Sequence, residues 1–245
     1  MNEVMKTLTN HRSIRSYTNE SVSEEQLNEI IAAAQAAPTS INGQQLTIIS
    51  IQDPEKKAKA AEYVGGQPWV AQAPVFLVFC ADFYRAKIAA DKNGLPLGIT
   101  DGVESLLVGA TDVGLAMGNA IAAAESMGLG IVPIGGVRRN PQELIELLAI
   151  PEYVFPVCGL VVGHPADLSA KKPRLQPEAI HHKESYNKDQ KAFIDAYDET
   201  ISAYMKERTG GKEDRNWSSM IAGFYQGIYY PNIQSTILKQ GFKLK

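Results

Sequence analysis

A chain of 245 residues with a formal charge of −3, 44% hydrophobic and 21% charged, has the profile of a globular protein of one large or two small domains. The small negative charge excludes a broad nucleic-acid-binding face. The two cysteines, Cys80 and Cys158, lie inside apolar runs and outside C-x-x-C spacing, which excludes a disulfide framework or a cysteine-built metal site. No apolar run approaches the roughly 20 residues of a membrane span, and Met1-Asn-Glu-Val lacks the pattern of a signal peptide, so the expected compartment is the cytoplasm.

The first feature along the chain is His11-Arg-Ser-Ile-Arg15, followed at once by Ser16-Tyr17. Arginine keeps its charge in proteins and presents a planar fork that matches phosphate oxygens. The alternation with Ser and Ile suggests an extended or turn backbone. By itself the cluster reads either as a solvated arm or as an anion clamp. Next, Ser23-Glu-Glu-Gln26 forms a capping box, and Leu27, Ile30, Ile31 and Ala34 predict an amphipathic helix to about Ala37, stopped by Pro38. The polar loop 38–43, with Ser40 and Asn42, leads to Gln44, Gln45 and a strand over Leu46–Ile51. Such a loop is plain turn chemistry unless it faces the same cavity as the first cluster.

Residues 53–64 read as a surface helix, broken by Gly65-Gly66-Gln67-Pro-Trp69. The uninterrupted apolar run from Pro74 to Ala81 predicts a strand covered on both faces, and 82–100 reads as a loop or excursion. The longest helical signal runs from about Val103 to Met127, with a stripe of Leu106, Leu107, Ala110, Val113, Met117, Ile121 and Ala124. Glycine and alanine on its other faces suit a helix approached closely from several sides, in a core or at a subunit interface. Ile131–Ile134 is a short strand entering Gly135-Gly136, whose backbone amides could approach a planar ligand or phosphate, or simply make a tight turn. Asn140-Pro141-Gln-Glu143 starts a short helix with Asn as its cap, and Phe155–Gly163 is a second buried strand. Lys171-Lys-Pro-Arg174 is a second candidate anion clamp or a solvated basic turn. A polar helix over 187–208, a charged loop over 209–215 and an aromatic-rich tail over 217–245 complete the chain. That tail has no apparent core of its own and is expected to wrap the body or a partner subunit.

Several chemistries are missing from the sequence. No G-x-G-x-x-G opens a βαβ unit, and there is no G-x-S-x-G elbow, Walker A loop or H-E-x-x-H. His181-His182 has no carboxylate or Cys at ligand spacing, so no metal is expected. With anion-binding features but no evident nucleophile, acid or base, the reaction is expected to be carried by a bound cofactor, with no catalytic side chain assigned.

The ordered set HRSIRSY at 11–17, the Ser/Asn/Gln-rich loop near residue 40, GGQ at 65–67, IGG at 134–136 and KPR at 172–174 resembles the FMN-dependent nitroreductase family. The match extends to VFCADF at 78–83 and AAESMGLG at 123–130 and is closest to the NADPH-type flavin reductase and oxygen-insensitive nitroreductase branch. The resemblance implies an α+β fold: a mostly antiparallel sheet flanked by helices, forming one FMN-binding domain over 1–245 in an intertwined homodimer. A C-terminal extension over about 187–245 would wrap the body or the partner. It implies that His11, Arg12, Ser13 and Arg15 bind the ribityl phosphate and ring edge of FMN, joined on the phosphate by Lys172 and Arg174. Ser40, Asn42 and Gln67 would hydrogen-bond the ribityl or ring atoms, and Pro133, Ile134, Gly135 and Gly136 would line the ring with backbone.

The implied activity is ping-pong hydride transfer from NADPH or NADH to FMN and on to free flavin, a nitroaromatic, a quinone or an azo compound. A flavin sensor or storage protein without turnover is the alternative from another class. Two departures stand out: Pro133, where relatives tend to carry Tyr, and Ser40-Ile-Asn-Gly43 in place of a serine run. In the loop at 208–215 Arg208 would meet the 2′-phosphate of NADPH, whereas Glu213 stands where a second arginine is common, so use of both donors is expected.

Overall fold

The computed structural model describes residues 1–245, which fall into two compact units: residues 1–169 with 232–245, and residues 170–231. The first unit opens with α1 (Glu3–Thr9) and α2 (Glu24–Gln35), the latter started by the expected capping box. In that box Ser23 Oγ accepts from Gln26 N at 3.1 Å and Gln26 Oε1 accepts from Ser23 N at 3.0 Å. Strand β1 (Leu46–Ile51) is followed by helices α3 (Pro54–Tyr63) and α4 (Pro68–Gln72), then β2 (Val75–Asp82).

The stretch expected as a loop after β2 contains a helix instead, α5 (Tyr84–Lys92). It carries no capping residue at its own N-terminus. Its start is held from Asp82, whose Oδ1 accepts from Tyr84 N at 2.9 Å, and this side chain lies outside the usual sequence signature. Helix α6 (Glu104–Ser126), β3 (Gly130–Ile134), α7 (Pro141–Leu147) and β4 (Val154–Gly163) follow. Asn140 precedes α7 as predicted, but its side chain does not cap the helix; Nδ2 donates to Tyr63 O at 2.9 Å and ties α7 to the end of α3.

The four strands form an antiparallel sheet in the order β1-β2-β4-β3. Every residue of β2 is buried, as its unbroken apolar run requires, and its alternation divides the core in two. Phe76, Val78 and Cys80 pack with Val64, Val70, Leu144, Ile237 and Phe242 on one face. Val75, Leu77, Phe79 and Ala81 pack with Ile30, Ala34, Val113, Ala116 and Ala120 on the other. Ile237 lies in the last helix of the chain, α10 (Ile233–Lys239), so the final segment contributes to the core of the first unit.

The buried face of α6 runs through Gly109, Asp112, Val113, Ala116, Met117, Ala120 and Ala124, while Leu107 and Ala110, two members of the expected stripe, face outward. Small residues win the inward face because the helix lies very close to the sheet: a Cβ on Gly109 would stand 2.6 Å from Ala81 Cβ. The expectation that no segment reaches the length of a membrane span does not hold for α6, which is long and apolar enough by length and composition. Its inward face is nonetheless committed to the sheet and α2.

The second unit holds α8 (Lys191–Thr209) and α9 (Trp217–Tyr225). The helix expected from residue 187 begins at Lys191, because residues 187–190 form local turns; Asn187 Oδ1 accepts from Asp189 N at 2.9 Å. The two helices meet through Tyr197 and Trp217, edge to face at 5.8 Å, and through Asp198, whose Oδ1 accepts from Ser218 N at 2.8 Å. Neither helix has a buried residue.

Candidate functional site

The segment after α1 is extended and lies along the free edge of β3. Ile14 N donates to Ile131 O at 2.8 Å, and Ser13 bridges Ile131 in parallel fashion. Tyr17 bridges Pro165, and its hydroxyl donates to Ile14 O at 2.8 Å. Ile14 is buried, and it fills the space where a Cβ on Gly130 would otherwise sit, 2.8 Å away. A buried Ile between polar neighbours therefore staples the motif to the sheet and leaves His11, Arg12, Ser13 and Arg15 accessible to different degrees.

Those side chains have few partners of their own. Arg12 donates to Asn10 Oδ1 at 2.9 Å, and Arg15 lies over the Trp69 ring, 5.6 Å from its centroid. Neither guanidinium has a carboxylate within ion-pair distance. His11 Nδ1 lies 2.7 Å from Glu125 Oε1 at the end of α6. An ionised carboxylate only accepts, so this contact places a proton on Nδ1 and leaves Nε2 for another partner. Glu125 lies in the AAESMGLG stretch at 123–130 that carries part of the family resemblance, but its role does not show in the sequence, because its partner is 114 residues away. Burial pushes the Tyr17 phenol well above its usual range, against the opposing pull of Arg15. Tyr17 is thus a neutral hydrogen-bonding prop at any working pH.

The two glycine motifs meet. A Cβ on Gly136 would lie 2.1 Å from Val64 O and 2.9 Å from Gln67 Nε2, so only glycine allows the 65–67 turn to pack on the 135–136 turn. Gln67 Nε2 donates to Val64 O at 3.0 Å, and Gly65 and Gly66 take φ of 105° and 69°. Trp69 Nε1 is buried with no acceptor. The structure therefore gathers Arg15, Gln67, Trp69 and Gly136 in one neighbourhood, joined through β3 to the first motif. Pro133 is exposed on β3, an edge strand, where a residue lacking N–H is tolerated. Ile134 and Gly136 are buried, and Gly135 is half-buried.

Ser40 and Asn42 are exposed in a 3-10 turn between α2 and β1, held to α6 by Ser40 N donating to Asp112 Oδ1 at 3.1 Å. Lys172, Arg174 and Arg208 all belong to the second unit and are exposed. Tyr197 donates to Pro173 O at 2.9 Å and so fixes the turn that carries Lys172 and Arg174. Burial raises the Tyr197 pKa, with Arg174 pulling the other way. Arg208 is in the last turn of α8, where Gly210 ends the helix at φ 61°. Glu213 is paired with Arg215 at 2.7 Å, and its backbone N–H donates to Thr209 Oγ1 at 2.9 Å.

Two guanidiniums without a carboxylate partner, a histidine held by Glu125 and, under Arg15, a buried indole N–H without an acceptor are donors of the kind that a ligand bearing a phosphate would engage. Comparison with known proteins agrees. The nitroreductase family matches residues 8–164, and its C-terminal domain matches residues 172–245. The chain belongs to the nitroreductase family. It is 62% identical, over the full length of both chains, to a Bacillus subtilis protein named FMN reductase [NAD(P)H], and 41% identical to a second from that organism, named FMN reductase (NADPH), covering 99% of each. Among solved structures, B. megaterium NfrA2 superposes with a TM-score of 0.99 at 61% identity, covering 100% of both chains. The NADPH:FMN oxidoreductase of Vibrio harveyi, complexed with NAD+, does so with a TM-score of 0.90 at 34% identity, covering 100% of both. The expected α+β class with a mostly antiparallel sheet is the one observed.

Proposed function

We propose that this nitroreductase-family protein is an NAD(P)H-dependent FMN oxidoreductase that reduces free flavin and other planar acceptors such as nitroaromatics and quinones. The observation that carries the assignment is the pair Arg12 and Arg15, two fixed cations with no carboxylate partner on the segment stapled to the edge of β3. They stand in a chain 62% identical to an FMN reductase.

When bound, FMN supplies a carrier that takes a hydride equivalent from a nicotinamide and passes electrons to an acceptor. Around it we assign His11, Arg12, Ser13 and Arg15 to the phosphate and ring edge, and Ser40, Asn42 and Gln67 to polar ribityl and ring atoms. The backbone from Pro133 to Gly136 is assigned to the ring face. Lys172 and Arg174 are assigned to the phosphate on residue type and family resemblance. Arg208 is the proposed contact for the 2′-phosphate of NADPH. The exposed apolar side chains Leu107 and Leu115 on α6 and Val4, Met5 and Leu8 on α1 support a homodimer, and the proposed use of NAD(P)H supports a cytoplasmic location.

Anaerobic addition of NADPH to the purified yellow protein tests the activity. Bleaching of the oxidised flavin band within the dead time of manual mixing, and its return on adding free FMN or a nitroaromatic, is expected. Flavin that stays oxidised would instead indicate storage or sensing without turnover.

A further inference from the structure

The turn between α2 and β1 holds an unusual backbone. Ile41, Asn42 and Gln44 have φ of 50°, 54° and 54°, the left-handed region that non-glycine residues rarely adopt. Ile41 is β-branched, for which this conformation is an outlier, and it is 94% exposed, so no packing of its own side chain compensates. Such geometry persists only where the surroundings over-determine it.

Here the constraints can be named. Within the turn, Gly43 N donates to Ser40 O at 2.8 Å, and Gln44 N donates to Thr39 Oγ1 at 3.2 Å. At one end, Ser40 N is held by Asp112 Oδ1 at 3.1 Å. At the other, the Arg85 guanidinium donates to Gln44 O at 2.7 Å and Leu46 O at 2.6 Å. Arg85 is itself aimed by Asp82 Oδ2 and Thr47 Oγ1, each at 2.9 Å. A planar fork spends its donors on two carbonyls that bracket Gln45.

Asp112 is the odd member. It sits in mid-α6 among small residues, 2% exposed, with no cationic partner, and its Oδ2 has no hydrogen-bond partner. It lines a recess of 360 Å³ with Pro38, Thr39, Ser40, Leu107 and Leu115. A buried, half-satisfied carboxylate is a poor stabiliser, since one N–H bond does not offset its desolvation. Its placement makes sense if the turn it holds has work to do.

We infer that Asp112 and Arg85 are positioning residues that hold the Ser40–Gln44 turn in its left-handed form, so that Ser40 and Asn42 are preformed for the flavin. The inference rests on the assignment of Ser40 and Asn42 to FMN. Neither Asp112 nor Arg85 touches the reacting atoms; each acts by removing the ordering cost from binding.

The test uses flavin-free full-length protein, titrated with FMN by fluorescence quenching, with the visible circular dichroism of the bound flavin and the melting of the flavin-free form as separate readouts. Asp112→Ala and Arg85→Gln are expected to weaken FMN binding by about ten-fold or more and to alter the flavin dichroism. Asp112→Asn, which keeps an acceptor for Ser40 N–H, is expected to restore both. Arg85 is half-exposed, so its variant serves if Asp112→Ala does not fold. Lower melting temperatures with unchanged FMN affinity in both variants would make the two residues purely structural and overturn the inference. Asn42→Ala separates the two levels. If it weakens binding while Asp112→Ala and Arg85→Gln do not, the flavin assignment stands and the positioning role fails. If Asn42→Ala has no effect on FMN, the turn is not at the flavin and both fail, even where Asp112→Ala weakens binding by another route.

Discussion

Arg15 lies over Trp69 at 5.6 Å and is exposed, so truncating it removes a cation without opening a cavity. Charge-assisted contacts to a phosphate contribute roughly 1.5–3 kcal/mol each. Arg15→Ala is therefore expected to weaken FMN by roughly ten-fold to a hundred-fold and to purify with less than stoichiometric flavin, while its far-ultraviolet spectrum stays that of wild type. Flavin content and FMN titration check this, and full occupancy in the variant would remove Arg15 from the site.

Glu213 acts at the same scale. Its carboxylate was expected to repel a 2′-phosphate, yet it is paired with Arg215 at 2.7 Å, and neutralisation within the pair blunts that repulsion. Glu213→Gln frees the Arg215 cation. The expected result is a rise in kcat/KM for NADPH relative to NADH of about two- to five-fold, as suits an exposed charge worth a few tenths to 1 kcal/mol. An unchanged ratio would place the nucleotide phosphate elsewhere. The arginines and hydroxyls of the first motif were legible because their chemistry resides in residue type. Glu125, Asp112 and Arg85 were not, because each is defined by a partner far along the chain: Glu125 pairs with His11, Asp112 with Ser40, and Arg85 with the carbonyls of Gln44 and Leu46.

Among the elements, β2 and α6 stand at the centre of the first unit's core. A strand with no polar residue between Val75 and Ala81 announces burial on both faces, and its limits were legible to within a residue. Helix α6 was legible in extent and partly in orientation: Val113, Met117 and Ala124 of the expected stripe are buried, whereas Leu107 and Ala110 face outward, since alanine and glycine on several sides blur the moment. The structure resolves its orientation through Gly109, where an added Cβ would meet Ala81 Cβ at 2.6 Å and Phe83 Cε2 at 3.3 Å. Overpacking of this kind costs about 1–3 kcal/mol, whereas alanine in place of glycine within a helix stabilises it by about 1 kcal/mol. Gly109→Ala should thus destabilise the protein on balance. In the Ala81→Gly background the clash is relieved and the same substitution should become neutral or stabilising. A double-mutant cycle from urea midpoints, at fixed protein and flavin concentration, is expected to show a coupling of about 1–3 kcal/mol. Additive effects would mean that α6 shifts away from β2 at little cost.

For the whole molecule, the decisive fact is how much apolar surface the single chain leaves uncovered. On α6, Leu107 is 59% and Leu115 44% exposed, and α1, which packs beside α6, leaves Val4, Met5 and Leu8 exposed. In the second unit neither α8 nor α9 has a buried residue, and Phe224, Tyr225, Ile228 and Tyr229 are exposed. Isolated apolar residues on a surface are ordinary, but several large ones on α6 and on the helix packed beside it are the kind of surface a partner covers. In the proposed homodimer a second copy of the chain would cover that surface, with the outward face of α6 as the proposed seam. Leu107→Glu with Leu115→Glu introduces two charges into that face and leaves the inward core untouched. The double variant is expected to sediment as a monomer where the wild type sediments as a dimer. Because Leu107 and Leu115 line the same recess as Ser40 and Asp112, it should also lose most of its FMN affinity. A variant that remains dimeric with full flavin would move the seam off α6. One that becomes monomeric yet binds FMN as tightly as wild type would show that a single chain completes the site.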